Sequence, residues 1–432
     1  MTTHSRSGNR RDFLKTTAVI GSTLALPTIL PGGLFAAEEA TPLRVGLVGC
    51  GGRGGGAALE ALQADKNAVL TAMGDAFDEP LQRTLQALRT QKGDQVKVTP
   101  ENCFAGLDAY QKVINSGVDV VLLASPPGFR PVHLKAAVEA GKHIFCEKPM
   151  ATDAPGLRSV LESAKAAGEK NLSLVAGFCW RYDNARREFY KRIHDGAIGE
   201  MRSIYATYYT GPVKPMPPAN ERPAGMGDLE WQIRNWYNFV WLSGDGYLEQ
   251  ACHSMDKVAW AMKDEPPVKA IAVGGRQTPN NQGNIYDHMF VVYEYPGEVR
   301  AFVGQRQSGN TASDNSDYLA GAGGIAKIPG WQAPYIKGKE TWRFRGDKTD
   351  MYQTEHDELF ASIRNRKPIN DGIRMAHSTL MALMGRMAAY TGQEVTWEQA
   401  LNSQEKLVPD ALDWKMKLDI APLAVPGQTK LI

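Results

Sequence analysis

Cysteines, an excess of one charge and long apolar runs are all scarce in this sequence. Its 432 residues contain five cysteines, an odd number without C-x-x-C spacing, which excludes a disulfide framework and a cysteine zinc site. We expect cysteines that pack as small apolar residues, and no metal site. With 49 basic and 47 acidic residues the net charge is +2, too small to indicate a surface that binds nucleic acid.

The first residues form a segment distinct from the rest of the chain. A twin-arginine pattern at Arg10 and Arg11 precedes a mildly apolar run. A membrane anchor is the alternative, but glycines and prolines interrupt the run, which is short for a span of ~20 strongly apolar residues. Residues 1–37 are therefore predicted to be a signal peptide, cleaved between Ala36 and Ala40, that directs folded export to the periplasm and leaves no stable membrane anchor.

A glycine-rich loop follows the first apolar strand pattern, residues 43–48. Its sequence, GCGGRG at residues 49–54, fits G-x-G-x-x-G, and an Ala/Leu-rich helix pattern follows at residues 57–64. In such a unit the first glycine permits a tight turn, the second lets a pyrophosphate approach the backbone, and the third lets helix and strand pack closely. The helix N-terminus offers unpaired N–H donors to the phosphate. The residues assigned to dinucleotide binding are Gly49, Gly51, Gly52, Arg53 and Gly54.

An acidic residue ends the second strand pattern, residues 69–73. Asp75 lies about 20 residues past the loop, where a carboxylate accepts hydrogen bonds from the ribose hydroxyls of NAD and repels the 2′-phosphate of NADP. The expected cofactor is therefore NAD, with NADP as the alternative, and it is expected to stay bound through folded export. An aspartate that only caps a turn is the structural alternative.

Two further strand patterns, residues 118–124 and 143–146, each end in a distinctive sequence. The first runs into Ser-Pro-Pro and the second into Glu-Lys-Pro. Strands that alternate with helices predict a doubly wound parallel sheet, which binds ligands at the carboxyl ends of its strands. A solvated surface lysine is the alternative for the lysine of the second sequence. The residues assigned to this edge of the sheet are Ser125, Pro126, Glu147 and Lys148.

With these motifs in order, the chain resembles the glucose-fructose oxidoreductase/inositol dehydrogenase family, called Gfo/Idh/MocA, over residues 43–395. The resemblance implies that Lys148 assists catalysis while it contacts the nicotinamide ribose and the substrate. It also implies that the segment after the last strand of the first sheet, with Trp180 and Arg181, lies against the cofactor. A sugar or cyclitol is the substrate class that it implies.

The second signature of the family is a carboxylate four residues before a histidine. Glu249 and His253 stand in these positions, although the family usually has aspartate at the first. The spacing predicts one helical face, and the resemblance implies a substrate-binding acid beside a catalytic base. Asp256 is close enough in sequence to orient the imidazole, or is a plain exposed acid. A satisfied core histidine is the alternative for His253.

Strand patterns dominate after residue 200 and indicate a second domain of α+β type. Alternating segments predict an open, mostly antiparallel sheet, whose outer face the family commonly uses to form a homo-oligomer. A Met-rich pattern near the C-terminus predicts a buried helix, which the family packs back on the first domain. The predicted domains are a Rossmann domain at 43–182, a substrate-binding and oligomerisation domain at 183–374, and a C-terminal helix with a tail at 375–432.

A segment rich in proline and aromatic residues, 211–241, lies between the first strand of the second domain and Glu249. Its aromatic side chains suit stacking on sugar rings, and long irregular segments are often lids. The alternative is that these side chains pack the segment onto its own domain.

Three functions are consistent with these motifs. In the favoured one, His253 or Lys148 removes a hydroxyl proton from a sugar or cyclitol while the adjacent carbon passes hydride to the nicotinamide. The second is an NAD-dependent glycoside hydrolase that oxidises transiently, eliminates and adds water, because that group shares a Gly-Gly-Arg-Gly loop and needs no electron acceptor. The third is a sugar sensor that retains the cofactor without catalysis, and Lys148, Glu249 and His253 together argue against it.

Overall fold

The computed structural model describes residues 41–278 and 282–432. The predicted signal peptide, with Arg10 and Arg11, lies outside these residues. Among the helices of the described part, none is both long and apolar enough to cross a membrane. All five cysteines are free thiols and four of them are buried, which agrees with their expected role as small apolar residues.

The first sheet is built from the strands that the sequence patterns predicted, with one short addition at its edge. All residues of its central strand, Val120–Leu123, are buried, as a strand covered on both faces requires. The six strands are β1 (Leu43–Val48), β2 (Ala68–Asp75), β3 (Cys103–Ala105), β4 (Val120–Leu123), β5 (His143–Cys146) and β6 (Leu174–Ala176). They pair in parallel in the order β3-β2-β1-β4-β5-β6. Because the order reverses between β1 and β4, the loops after these strands diverge and leave a crevice at the carboxyl edge.

Helices connect these strands in the way a doubly wound sheet requires. They are α1 (Gly52–Ala64), α2 (Asp78–Lys92), α3 (Ala109–Asn115), α4 (Arg130–Glu139), α5 (Ala154–Glu169) and α6 (Asn184–His194). The first helix begins at Gly52, several residues before the Ala/Leu-rich pattern, because the glycine loop itself supplies the first turn. The N-terminus of α1 therefore lies directly beside the loop.

The second sheet has nine strands and is mixed, mostly antiparallel. Its strands are β7 (Met201–Thr210), β8 (Lys269–Gly275), β9 (His288–Glu294), β10 (Arg300–Gln307), β11 (Asp317–Gly321), β12 (Gly324–Ile328), β13 (Tyr335–Lys337), β14 (Thr341–Arg343) and β15 (Val395–Thr396). Their order is β14-β13-β12-β11-β7-β10-β9-β8-β15, and only β7 and β10 pair in parallel among them. The predicted fold class is confirmed. The strand patterns missed β11 to β13, which are short and separated by glycine-containing turns, and the two-residue β15.

The remaining helices bring the C-terminal part of the chain back to the first sheet. They are α7 (Asp228–Arg234), α8 (Val240–Ser243), α9 (Gly246–Glu249), α10 (Cys252–Ala261), α11 (Met351–Arg364), α12 (Gly372–Thr391) and α13 (Trp397–Asn402). Helix α11 packs on α1, and α12 contacts both α5 and β8. The methionines of α12 are buried in the core, while the expected domain boundary at residue 375 falls inside this helix. The return to the first sheet thus begins earlier, at α11.

Candidate active site

A cleft of about 710 Å³ lies at the carboxyl edge of the first sheet. Residues that follow β1 to β6 line one wall, and residues from Tyr208 onward line the other. We call these the nucleotide wall and the substrate wall. The cleft therefore lies where the reversal of strand order predicts a ligand site.

The glycine loop fits a dinucleotide pyrophosphate. Gly49 has φ +94°, a left-handed conformation that favours glycine. A Cβ on Gly54 would lie 1.9 Å from the carbonyl oxygen of Gly49, whereas a Cβ on Gly51 or Gly52 would meet no protein atom within 4 Å. The third glycine is thus required for packing, and the second borders open space beside the N-terminus of α1, where backbone N–H groups can hold phosphate oxygens.

Asp75 lies in the nucleotide wall at the end of β2. Its Oδ2 accepts a hydrogen bond from the backbone N–H of Cys50 at 2.6 Å, and its Oδ1 accepts one from Phe77 at 3.0 Å. These bonds fix the carboxylate while each oxygen keeps acceptor capacity for a ribose hydroxyl. Burial raises the pKa of Asp75, and the backbone donors oppose that rise.

The loops after β4 and β5 complete the nucleotide wall. Ser125 and Pro126 line the cleft, and the Ser125 hydroxyl is hydrogen-bonded to Nδ1 of His133 at 2.9 Å. Glu147 is buried and forms an ion pair with Arg53, whose guanidinium also lines the cleft. Each predicted loop residue of this wall therefore lies at the cleft.

Lys148 joins the two walls. Its Nζ donates to Oε1 of Glu249 at 2.9 Å and to the backbone carbonyl of the same residue, and both side chains are about nine-tenths buried, with 11% and 10% exposed. Burial by itself lowers the pKa of Lys148, but the Glu249 carboxylate outweighs burial and holds the pKa above its usual range. Lys148 is therefore a positioned cation, and the solvated-lysine alternative is wrong.

The prediction that Glu249 and His253 share one helical face is wrong. Glu249 ends α9 and His253 belongs to α10, since the helix is interrupted at Gln250 and Ala251. The N–H of His253 bonds the carbonyl of Gln250 rather than that of Glu249. This interruption frees the carbonyl of Glu249 from the helical hydrogen-bond ladder, and Lys148 bonds it instead.

His253 lines the cleft from the substrate wall. Burial, with the nearby positive charges of Lys148 and Lys257, lowers its pKa well below the ordinary value, so the neutral form of the imidazole is favoured. Its Nδ1 is buried and makes no hydrogen bond among the described residues. Asp256 does not orient this nitrogen, and instead accepts hydrogen bonds from Arg181 and Ser378.

Trp180 and Arg181 do not line the cleft, contrary to the expectation that they contact the cofactor. Arg181 is paired with Asp256 at 3.0 Å and with Asp264 at 2.5 Å, in the interior behind α10. The ring of Trp180 lies edge-on to His253 with centroids 6.4 Å apart. These two residues instead contact α10, through Asp256 and His253.

The aromatic residues of segment 211–241 mostly pack on their own surroundings. Trp231, Tyr237 and Trp241 are buried, and Trp241 donates from Nε1 to Gln232 at 2.7 Å. Trp236 is the exception, because it is only partly buried and lines the cleft. The packing alternative therefore describes most of this segment, and sugar stacking remains open for Trp236 alone among these four.

Sequence reasoning missed several residues of the cleft. Tyr208 lies on β7 with its ring nearly parallel to that of His253, at 6.4 Å between centroids, and burial raises the pKa of its hydroxyl to about 12. The strand pattern of β7 was visible in the sequence, but it did not indicate which side of the sheet faces the cleft. The other missed residues that line the cleft include Lys214, Gln250 and Tyr352.

Comparisons with known proteins agree with this architecture. Residues 43–174 match the Gfo/Idh/MocA model, described as an oxidoreductase family with an NAD-binding Rossmann fold. The chain is 24% identical over 287 residues to the inositol 2-dehydrogenase of Acidiphilium cryptum, which covers 66% of this chain and 74% of that protein. It is 30% identical over 197 residues to the dTDP-3,4-didehydro-2,6-dideoxy-alpha-D-glucose 3-reductase of Actinomadura kijaniata, which covers 45% of this chain and 50% of that protein.

Solved structures extend the likeness over both sheets. The aldose-aldose oxidoreductase from Caulobacter crescentus, complexed with glycerol, matches with a TM-score of 0.64 and 19% identity, and covers 82% of this chain and 99% of that one. The WlbA dehydrogenase from Bordetella pertussis, in complex with NADH and UDP-GlcNAcA, matches with a TM-score of 0.64 and 19% identity, and covers 82% of this chain and 98% of that one. At these identities the likeness shows the fold.

Proposed function

We propose that this chain, an enzyme whose residues 43–174 belong to the NAD-binding Rossmann fold of the Gfo/Idh/MocA oxidoreductase family, transfers hydride between NAD and a hydroxyl-bearing carbon of a sugar or cyclitol. The observation that carries the proposal is the group formed by Lys148, Glu249 and His253 at the junction of the two walls. A cofactor held by the glycine loop and Asp75 would reach this group along the cleft.

The three side chains suit different parts of an alcohol oxidation. His253 is the base, because its imidazole lines the cleft and its Nδ1 has no hydrogen-bond partner among the described residues. The burial that lowers its pKa disfavours the protonated ring, so the hydroxyl must be made more acidic by Lys148. Lys148 is not the base, because Glu249 holds it protonated; its ammonium would instead polarise the substrate oxygen. The cofactor supplies the acceptor for the hydride that leaves the same carbon. The products are a ketone, reduced cofactor and a proton carried by His253.

NAD is the cofactor that the nucleotide wall favours over NADP. Two backbone N–H groups at the end of β2 fix the Asp75 carboxylate in place. The carboxylate would therefore repel the 2′-phosphate of NADP, because its side chain cannot rotate away without losing these hydrogen bonds. Retention of the cofactor through purification is part of the proposal, and denaturing the purified protein and assaying the supernatant for NAD and NADP tests both points.

The decisive experiment follows the reaction products rather than cofactor reduction alone. Purified protein is incubated with inositols, free aldoses and aryl glycosides, with and without added NAD, while absorbance at the NADH band and released sugars are recorded. Net NADH formation with a keto product supports the proposal. Glycoside cleavage without net NADH would replace it with the redox-neutral hydrolase, and binding of sugar with no turnover would replace it with a sensor.

The proposal also includes export to the periplasm and assembly into a homo-oligomer. The twin-arginine pattern supports export of the folded, cofactor-bound protein to the periplasm, and changing both Arg10 and Arg11 to lysine should retain it in the cytoplasm.

The proposal that the protein forms a homo-oligomer is supported by one face of the second sheet, where Ile271, Val273 and Ile325 are 48%, 69% and 51% exposed. A homo-oligomer would cover this face, and light scattering should then show a smaller species for an Ile271→Lys/Val273→Lys variant.

A further inference from the structure

A compact polar cluster lies between α1 and α11, beside the nucleotide wall. Arg53 at its centre donates to Glu60 from Nη1 and to Glu355 from Nη2, at 2.9 Å each, and its Nε donates to Glu147. One guanidinium thus faces three carboxylates, and Glu355 has no exposed side-chain surface. The cluster carries more negative charge than the arginine alone can balance.

His356 and Glu355 have polar atoms that this cluster leaves unsatisfied. Both ring nitrogens of His356 and Oε2 of Glu355 are buried and make no hydrogen bond among the described residues. The ring of His356 packs on Phe145 with centroids 4.2 Å apart, and its Nε2 is directed at Oε2 of Glu60 at 3.5 Å. Buried polar atoms are normally partnered, so three orphaned atoms at one place indicate a missing ligand rather than a finished ion-pair network.

We propose that Glu60, Glu355 and His356 bind a divalent transition-metal ion, of the zinc or manganese kind. Their potential ligand atoms all lie within 4.8 Å of one another, and small side-chain rotations would bring them to the distances of about 2.0–2.2 Å that such ions require. One imidazole and two carboxylates form a donor set suited to these metals. Arg53 can stay in place, because it leaves Oε2 of Glu355 free. Both oxygens of Glu60 accept from Arg53, and each keeps a further lone pair for an ion.

The position of the cluster gives the ion a route in and a role. Glu60 keeps 17% of its side-chain surface exposed, so an ion can enter beside α1 without unfolding the core. A bound ion would join α1, which begins at the glycine loop, to α11, which returns from the second sheet. The ion would also complete the charge balance around Arg53 and Glu147, and both of these line the cleft.

Metal binding is measured directly on the full, tag-free protein. After removal of metal with a chelator, Zn²⁺ and Mn²⁺ are titrated separately by calorimetry, and bound metal is counted by elemental analysis after dialysis. We expect about one equivalent of at least one of the two ions, with a rise in Tm that saturates at that ratio. Glu355→Gln and Glu60→Gln should each lose more affinity than the about 10–100-fold caused by removing an outer-shell partner.

The control is Glu358→Gln on the same helix, since Glu358 pairs with Arg187 outside the cluster, and it should bind metal like the unchanged protein. Glu60→Gln keeps the test valid if the buried Glu355→Gln variant does not fold. Absence of stoichiometric binding of both ions would overturn the proposal. So would equal binding by the unchanged protein and all three variants, because that would locate the ion elsewhere on the surface.

Discussion

The two walls of the cleft are built on different principles. The phosphate site of the nucleotide wall is formed by backbone, with glycines that allow a turn, a close packing contact and open space within one short loop. The substrate wall consists of side chains from β7, α9, α10 and the segment before them, held by contacts such as that of Lys148 with Glu249. A wall made of local backbone geometry can be identified from a motif, whereas a wall made of distant side chains depends on the tertiary structure.

The largest effects are expected from the residues at the junction of the walls. His253→Ala removes the base and Lys148→Met removes the cation that polarises the substrate oxygen, so each should lower kcat by about 10²–10⁴-fold. Cofactor binding, measured by energy transfer from tryptophan to NADH, should change little. Lys165→Met, which alters a lysine with 78% of its side chain exposed, serves as the control. Full turnover in both active-site variants would refute the assigned roles.

The glycine loop offers a matched pair that separates cofactor binding from folding. Gly54→Ala places a Cβ 1.9 Å from the carbonyl oxygen of Gly49, so the loop must shift and stability should fall by about 1–3 kcal/mol or more. Gly51→Ala meets no protein atom within 4 Å, so the variant should fold normally yet bind NAD poorly. Urea unfolding and NAD titration distinguish them. Normal NAD binding by Gly51→Ala would mean that the pyrophosphate lies elsewhere.

The same distinction explains what the sequence could predict. The parallel sheet, the glycine loop, Asp75 and Lys148 were accessible because each is signalled by residues close together in the chain. The four-residue spacing of Glu249 and His253 led to a wrong prediction. Such a spacing indicates one helical face only if the helix is continuous, and this helix is interrupted at Gln250. The sequence did not identify Tyr208 as a cleft residue, because the direction of its side chain depends on how β7 packs beside α10.

Asp75 tests a side-chain contact that we propose between the nucleotide wall and the ribose. Replacing it with alanine should remove one or two hydrogen bonds to a charged acceptor, each about 1.5–3 kcal/mol, and narrow the preference for NAD over NADP. Asp78→Ala on the first turn of α2 is a control of the same residue type. An unchanged preference would place Asp75 outside the cofactor site.

One titratable residue in or behind each wall should make the free energy of unfolding depend on pH, and the two dependences should have opposite signs. Burial lowers the pKa of His133, which bonds Ser125 in the nucleotide wall, to about 3. Its contribution to stability is complete above pH ~6.5 and is lost as pH falls toward 3. Burial raises the pKa of Asp245, which caps α9 behind the substrate wall, to about 6; its contribution is complete below pH ~3.8 and is lost as pH rises through about 6. Each group changes the unfolding free energy by up to ~1.4 kcal/mol per pH unit.

Urea unfolding between pH 4.5 and 6.5 can separate these two contributions. The slope of stability against pH should become more negative in His133→Asn and more positive in Asp245→Asn, each relative to the unchanged protein. Slopes that move in the same direction in both variants would contradict the assignment.

The smallest effect on turnover is expected at Glu249, although Glu249 contacts Lys148, whose substitution should have one of the largest effects. In Glu249→Gln the backbone carbonyl of residue 249 still accepts from Lys148, so the lysine keeps a partner, while the substrate loses a charged acceptor. KM should therefore rise about tenfold, equivalent to ~1.4 kcal/mol. Because loss of the carboxylate also lowers the pKa of Lys148, kcat should fall too, but by less than in Lys148→Met. Glu249→Asp keeps a carboxylate at this position and should retain part of the affinity that Glu249→Gln loses. If kcat fell as far as in Lys148→Met with KM unchanged, Glu249 would act in the chemical step through the charge of Lys148. Glu249 would then belong to the catalytic group with His253 and would not serve only to bind the substrate.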